Sequence, residues 1–285
     1  MRRRHGRGQG ATVGLVLVLA WSWFGPDPVA AAAASPRVVI AGGTYRPLYR
    51  RPVAGASRDT VVRRAVAVPV APFVIDRTPV TNRDYLAFVT AHPEWRRSRV
   101  SRLFADRNYL ARWSSDLDPG PRAPLDAAVV EVSWFAVRAY AAARRGRLPT
   151  TAEWELVAAA DHTRREATRD ARYLERLRQW YARPAPTTIA AVGQGPANAW
   201  GVQDLHTLVW EWTLDFNASL VTGESRGDAS LERGLFCGAG ASAASDFADY
   251  AAFMREAFRA SLDADYALGT LGFRCAYDLA PGRTP

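Results

Sequence analysis

Two carboxylates among large aromatic rings are the first residues in this chain that could do chemistry. The stretch 198–215, NAWGVQDLHTLVWEWTLD, places Glu211 directly between two tryptophans in a short segment of β character. A carboxylate among buried rings is costly unless an arginine or a metal ion meets it. Asp204 lies upstream across a turn-like run whose carbonyls, with the two carboxylates, suit Ca²⁺. The alternative is two solvated acids on a tryptophan-rich core strand.

A pair of cysteines is the second candidate for chemistry. Cys237 and Cys275 are the two cysteines of the chain, and an even number in an exported protein favours a disulfide. Closing the intervening loop would stabilise the fold by about 4 kcal/mol in the chain-entropy model. Neither spacing nor pattern brings their Cα atoms within bonding reach, and two cysteines need not pair. A disulfide and two free thiols both remain open.

The elements that must position these residues mix short strands with helices. Thr81 or Asn82 caps the first predicted helix, Ser133 the second and Thr151 the third. The predicted strands cover 38–40, 73–76, 129–132 and 209–212, and the predicted helices cover 85–91, 134–144, a segment after 151, and 247–261. The charge-rich stretch 161–183 is either an exposed helix or a mobile insert. With no internal repeat, the pattern predicts an α+β fold in one compact domain over 35–285.

The N-terminus resembles a secretory signal peptide. Arginines in the first seven residues precede an apolar run over 11–24, prolines break it, and alanines at 30–34 offer a cleavage site. The run is shorter than the roughly 20 residues of a spanning helix, although an uncleaved anchor is the alternative. Residues 1–34 are therefore predicted to be a signal peptide, and the mature chain is expected in the periplasm or secreted, with no membrane contact after cleavage.

Composition excludes several classes of function. All 37 basic residues among the 285 are arginines, and the net charge is +9, of which the leader contributes +3 and the mature chain +6. The remaining arginines are mixed with acids rather than arranged in a stripe, so we expect no nucleic-acid partner. No P-loop, dinucleotide-binding glycine motif or nucleophile-elbow motif occurs.

Four sequence blocks carry a family resemblance. They are FVIDRTPVTNRDYLAFV (73–89), VVEVSWFAVRAYAAARRGRLPTTAEWELVAAA (129–160), NAWGVQDLHTLVWEWTLD (198–215) and LGFRCAYD (271–278). In this order they resemble the formylglycine-generating enzymes, also called sulfatase-modifying factor domains. The C-terminal part further resembles the NirV-like branch, found in bacteria beside nitrite-reductase genes. The resemblance implies a single domain related to the C-type-lectin fold, with much irregular structure.

The resemblance also implies a Ca²⁺ site in the stretch 198–215. In the family, an Asn or Asp side chain, two backbone carbonyls and a Glu side chain bind the ion. These fall on the side chains of Asp204 and Glu211 and the carbonyls of Thr207 and Val209, with Thr207 replacing a usual glycine. The His-x-x-x-His-x-Glu array of the iron-dependent sulfoxide synthases is absent, which argues against a nonheme iron centre.

Catalysis is where this chain departs from the family. Formylglycine-generating enzymes hold Cu(I) between two nearby thiolates, which suit this soft ion. Cys237 matches the first thiolate, Ser242 stands near the second position, and Cys275 matches a structural cysteine. Arg259 aligns with an arginine of the active-site groove, or it is an ordinary core ion-pair partner. One hypothesis is an accessory or maturation factor for a periplasmic protein such as nitrite reductase. The alternative is a copper-dependent oxidase that uses Cys237 and Arg259.

Overall fold

A three-stranded antiparallel sheet joins the two ends of the described chain. The computed structural model describes residues 35–45, 67–184, 186–217 and 247–279. In that sheet β1 (Arg37–Ile40) and β7 (Ala276–Asp278) flank β4 (Phe73–Asp76). The register pairs Val38 with Ile75 and Ile75 with Ala276. The predicted leader 1–34 and the candidate residue Cys237 lie outside the described residues.

Two further sheets are very small. Strand β2 (Gly43–Tyr45) pairs antiparallel with β3 (Val68–Val70), and β5 (Trp210–Glu211) pairs in parallel with β6 (Leu271–Gly272). Gly42 makes the turn between β1 and β2 at φ 77°, where a Cβ atom would lie 2.5 Å from the carbonyl oxygen of Val70. Only glycine fits that approach without strain.

Five helices complete the described architecture. They are α1 (Asn82–Ala91), α2 (Trp134–Ala143), α3 (Thr151–Ala158), α4 (Ala171–Tyr181) and α5 (Phe247–Ala260), with a 3₁₀ turn at Pro93–Trp95. Thr81 caps α1 in a capping box with Asp84, and Ser133 caps α2 through the backbone N–H of Ala136. The mixture of short sheets and separate helices confirms the predicted α+β class. No helix in the described ranges is long and apolar enough to cross a bilayer.

The main core lies between α1, α2 and the segment that follows β6. Tyr85 and Tyr140 stack at 5.7 Å between ring centroids, and the Phe273 ring meets that of Tyr140 edge-on at 5.1 Å. Trp113 and Trp212 belong to the same buried cluster. Their indole N–H groups donate to the side-chain oxygen of Asn82 and the carbonyl of Val132, so these two rings are buried with their donors satisfied.

Two local predictions differ from the structure. The predicted strand 129–132 is wrong: Glu131 has φ 61°, which breaks an extended run, and its carboxylate accepts the backbone N–H and the Nε–H of Arg112. The N-cap of α3 is Thr150, one residue earlier than predicted, in a capping box with Glu153. The stretch 161–183 contains the helix α4, so the helical alternative is the one that the structure supports there.

Candidate functional site

Glu211, the first candidate residue, forms a fully buried ion pair with Arg274. The parallel register sets Glu211 beside Gly272, and Arg274 follows two residues later. Its Nε donates to Oε2 of Glu211 at 2.8 Å and its Nη2 to Oε1 at 2.7 Å, and neither side chain exposes any surface. The indole N–H of Trp154 adds a second donor to Oε2 at 2.8 Å. This two-point geometry is the strongest way to satisfy a carboxylate by one side chain.

The remaining donors of Arg274 connect distant segments. Nη1 donates to the carbonyls of Asp76 and Arg77, and Nη2 also donates to the carbonyl of Gln203. One guanidinium therefore holds the end of β4, the loop before β5 and β5 itself.

The calcium prediction meets an obstacle at Glu211. Both of its oxygens accept hydrogen bonds from Arg274, and a second cation beside that guanidinium would be repelled. Asp204, at φ 63°, accepts the backbone N–H of Gly193 through Oδ2. Burial raises the pKa of Asp204, against the opposing effects of that hydrogen bond and of Arg274. Thr207 and Val209 lie in the same loop. With both oxygens of Glu211 already bound by Arg274, this donor set does not fit a calcium ion.

A second buried charge cluster lies between α3 and α5. Arg255 donates from Nε and Nη2 to both oxygens of Glu155, and Nη1 of Arg259 donates to Oε1 at 2.7 Å. All three side chains are less than a tenth exposed. Burial alone would raise the pKa of Glu155, but the two guanidinium groups outweigh it and lower that pKa to about 2. Two cations facing one carboxylate leave this cluster with an excess positive charge.

Arg259 forms the core ion pair that was one of its two predicted roles, whereas the sequence did not indicate Glu155 and Arg255 as members of the cluster. The available signal was the spacing of Arg255 and Arg259, which puts both on one helix face in a segment whose other regular positions are apolar.

Arg259 borders a cleft that is almost filled. Its guanidinium lies 5.1 Å from the centre of the Trp154 ring. Trp210 stacks on Phe258 at 4.3 Å and contacts Trp180 at 5.0 Å. The space left among these described side chains is about 10 Å³, close to the volume one water molecule needs.

His206 lies beside the same cleft as a neutral imidazole. Burial and the positive charge of Arg255 lower its pKa to about 4, although the Ala158 carbonyl opposes the shift. Its Nε2 lies 3.0 Å from that carbonyl and 3.2 Å from the hydroxyl of Tyr173. The neutral ring therefore links α3 to α4, with Nε2–H as the donor to the Ala158 carbonyl, and it carries no positive charge near neutral pH.

Cys275 is a free, buried cysteine in the main core. Its backbone N–H donates to Oδ2 of Asp76 at 3.2 Å. Burial, reinforced by the Asp76 carboxylate, raises the pKa of the thiol, so it stays protonated. The other cysteine of the predicted disulfide, Cys237, lies outside the described residues, and Cys275 itself is a buried core thiol. Within the described ranges, no three His, Cys, Asp or Glu side chains form a metal-binding group.

Comparison with known proteins decides the family. The sequence profile of the Sulfatase-modifying factor enzyme 1-like domain matches residues 25–279. The chain belongs to this family. The match agrees with the resemblance drawn from the four sequence blocks, whereas the narrower NirV-like branch stays a prediction.

Three relatives illustrate how varied the family is. The Formylglycine-generating enzyme of Streptomyces coelicolor is 31% identical over 74% of this chain and 80% of its own length. The Inactive C-alpha-formylglycine-generating enzyme 2 of Bos taurus is 31% identical over 51% of this chain, and the Hercynine oxygenase of Mycobacterium tuberculosis is 31% identical over 53%. The aligned parts span 60% of the bovine and 39% of the mycobacterial protein, less than two thirds of either.

Proposed function

We propose that this chain is an exported family member that binds and helps to mature a periplasmic protein, and that it does not oxidise cysteine to formylglycine. The observation that carries the proposal is the place of Cys275. A Cu(I) clamp of the family type needs two thiolates, and this chain has two cysteines. Because Cys275 is a protonated core thiol, Cys237 is left without a thiolate partner.

The described part of the groove supports the same proposal. Arg259 donates to Glu155 in a buried cluster, and the neighbouring cleft has room for about one water molecule. A cysteine side chain with its flanking peptide needs more space than that. The bovine relative, named Inactive C-alpha-formylglycine-generating enzyme 2, is a precedent for loss of the oxidase activity in this family.

The proposed partner follows from the leader and the C-terminal part of the sequence. The leader directs the chain to the periplasm, and the NirV-like resemblance associates it with denitrification. The periplasmic protein that this resemblance points to is a cupredoxin-type nitrite reductase. We therefore propose apo nitrite reductase as the partner.

An oxidation assay tests the non-catalytic part. Purified mature protein, Cu(I) and O₂ are mixed with a peptide that carries the Cys-x-Pro-x-Arg sulfatase motif, and the peptide thiol is followed by mass spectrometry. We expect no more loss of thiol than with the Cys237→Ala variant. Turnover that disappears in Cys237→Ala would overthrow the proposal.

A binding assay tests the accessory part. Calorimetry with apo and copper-loaded nitrite reductase should show binding that favours the apo form. The copper-loaded protein serves as the control for surface charge, and equal or no binding of both forms would rule out a maturation role.

The second candidate function is a copper-dependent oxidase with a modified site. The Streptomyces relative named Formylglycine-generating enzyme aligns over most of both chains, and Cys237 is retained. In this alternative, one thiolate of Cys237 and a harder oxygen ligand would hold the metal. The oxidation assay above separates it from the first candidate, because only an oxidase that uses Cys237 would consume more peptide thiol than the Cys237→Ala variant does.

A further inference from the structure

Four arginines surround an open concavity. Its lining residues come from a part of the chain that precedes the residues of the Glu155 and Glu211 clusters. Arg96, Arg97, Arg102 and Arg107 line a space of about 680 Å³ in the irregular segment after α1. This volume is typical of a pocket for a small molecule.

Backbone carbonyls hold three of these arginines in place. Arg96 donates to the carbonyls of Val89 and Thr90 near the end of α1. Arg97 donates to the carbonyl of Trp113 at 2.7 Å, and Arg102 donates to that of Asp106 at 2.8 Å. Each guanidinium has five N–H donors, so every one keeps donors that these carbonyls do not use.

Negative charge around the concavity is scarce. Asp116 is the carboxylate among its described lining residues, and its oxygens accept the backbone N–H and the hydroxyl of Ser98. Those hydrogen bonds lower its pKa, with smaller contributions from Arg96 and Arg97. Within the described chain, none of the four arginines forms an ion pair at contact distance. The lining therefore carries about three uncompensated positive charges.

We propose that this concavity binds a ligand through a phosphate group. Guanidinium forks that are already held in place match tetrahedral oxyanions and give two-point hydrogen bonds at little entropic cost. Several convergent arginines favour a dianion over a single carboxylate. The volume leaves room for the organic part of a phosphate ester beside the phosphate itself.

Two sources can supply that chemistry, a soluble phosphate ester or a phospholipid headgroup. Leu103 bears on the choice because it follows Arg102 directly and is 80% exposed. Such a side chain can enter the acyl boundary of a membrane while the neighbouring arginines contact headgroups. The experiment therefore has one arm for each source.

The test uses mature full-length protein at constant ionic strength. Binding of inorganic phosphate and glycerol phosphate is measured by calorimetry, and binding to phosphatidylglycerol or phosphatidylcholine vesicles by sedimentation. We expect binding in at least one arm, and about tenfold weaker binding in Arg107→Gln and in Arg102→Gln. Arg107→Gln is the more specific test of binding, because Arg107 makes no hydrogen bond within the described chain whose loss would destabilise the fold.

Arg99→Gln is the matched control. Arg99 is an exposed arginine of the same segment that does not line the concavity, and its replacement removes the same charge. Its affinity should stay within about twofold of the unmodified protein, since Arg99 does not line the concavity and would make no direct hydrogen bond to the phosphate. Binding to phosphatidylglycerol vesicles alone, reduced by Leu103→Ser, would identify a headgroup, and binding of glycerol phosphate would identify a soluble ester. No binding in either arm, or an equal loss in Arg99→Gln, would overturn the proposal.

Discussion

Arg274 and Glu211 are joined by two hydrogen bonds of 2.8 and 2.7 Å, and neither side chain touches solvent. The same arginine also binds three backbone carbonyls, so the pair connects the end of β4 with the loop before β5 and with β5 itself. Removing one partner of a buried pair leaves the other charge without compensation, which costs more than the intact pair contributes.

Arg274→Lys should destabilise the protein by about 3 kcal/mol, because the lysine ammonium cannot reproduce the two-point contact with Glu211. Urea unfolding at pH 7 measures the loss. The control is Arg83→Lys, whose ion pair with Asp126 is more than half exposed and should contribute less than about 1 kcal/mol. Equal effects of the two substitutions would mean that burial of the pair is not what makes it strong.

The pH dependence of stability should carry a signature of Asp76. Burial raises its pKa from 3.8 to about 6, although the backbone N–H of Cys275 and the charge of Arg144 oppose the shift. The folded protein thus holds this proton more tightly than the unfolded chain. The stabilisation that the protonated Asp76 carboxyl group gives the folded state is fully present below about pH 4 and is lost as the pH rises through 6.

Asp76→Asn should therefore be more stable than the unmodified protein at pH 8, by about 2 kcal/mol, and should lose part of the slope between pH 4 and 6. Denaturant unfolding across that range measures both effects. Asp126→Asn, at an exposed carboxylate, is the control and should leave the slope unchanged. A less stable Asp76→Asn at pH 8 would show that the carboxylate is ionised and satisfied in the fold.

Calcium removal should leave the melting temperature unchanged, because Arg274 already supplies the positive charge that Glu211 needs. The measurement is thermal unfolding with EDTA, with added Ca²⁺ and with Mg²⁺ as the control ion. A fall in melting temperature that Ca²⁺ reverses, and that Asp204→Asn abolishes, would establish the predicted site despite the contacts of Glu211.

Export should remove the leader. Intact-mass measurement on protein recovered from the periplasm should show a chain that begins near Ser35. A variant with a charged residue in the apolar run, Leu17→Arg, should stay in the cytoplasm at full length. A full-length product in the membrane fraction would show that the leader is retained as an anchor.

Local rules predicted the elements better than they predicted the partners of charged residues. The caps at Thr81 and Ser133 follow from hydrogen bonds within one turn, and the sequence displays them directly. The partner of Glu155 lies 100 residues away, and that of Glu211 lies 63 residues away. Either an arginine or a metal ion can neutralise a buried carboxylate, so the sequence alone does not show which of them is the partner of Glu211, and the fold does.

The incorrect prediction of a strand at 129–132 has a similar cause. Its residues are apolar enough for a strand, but the left-handed conformation of Glu131 is fixed by Arg112 from another segment. Tertiary contacts override strand propensity there. The concavity lined by arginines could not be predicted either, because its lining residues come from irregular chain that shows no periodicity in the sequence.

The arrangement of β1 and β7 on either side of β4 also constrains when this protein can fold. The sheet needs residues 37–40 and residues 276–278 together, so it cannot be completed until residue 278 has left the ribosome. Contacts of such large sequence separation slow folding. The sheet is therefore the last part of the described fold to be completed, and a chain without it has β4 exposed along the edge that β7 later covers.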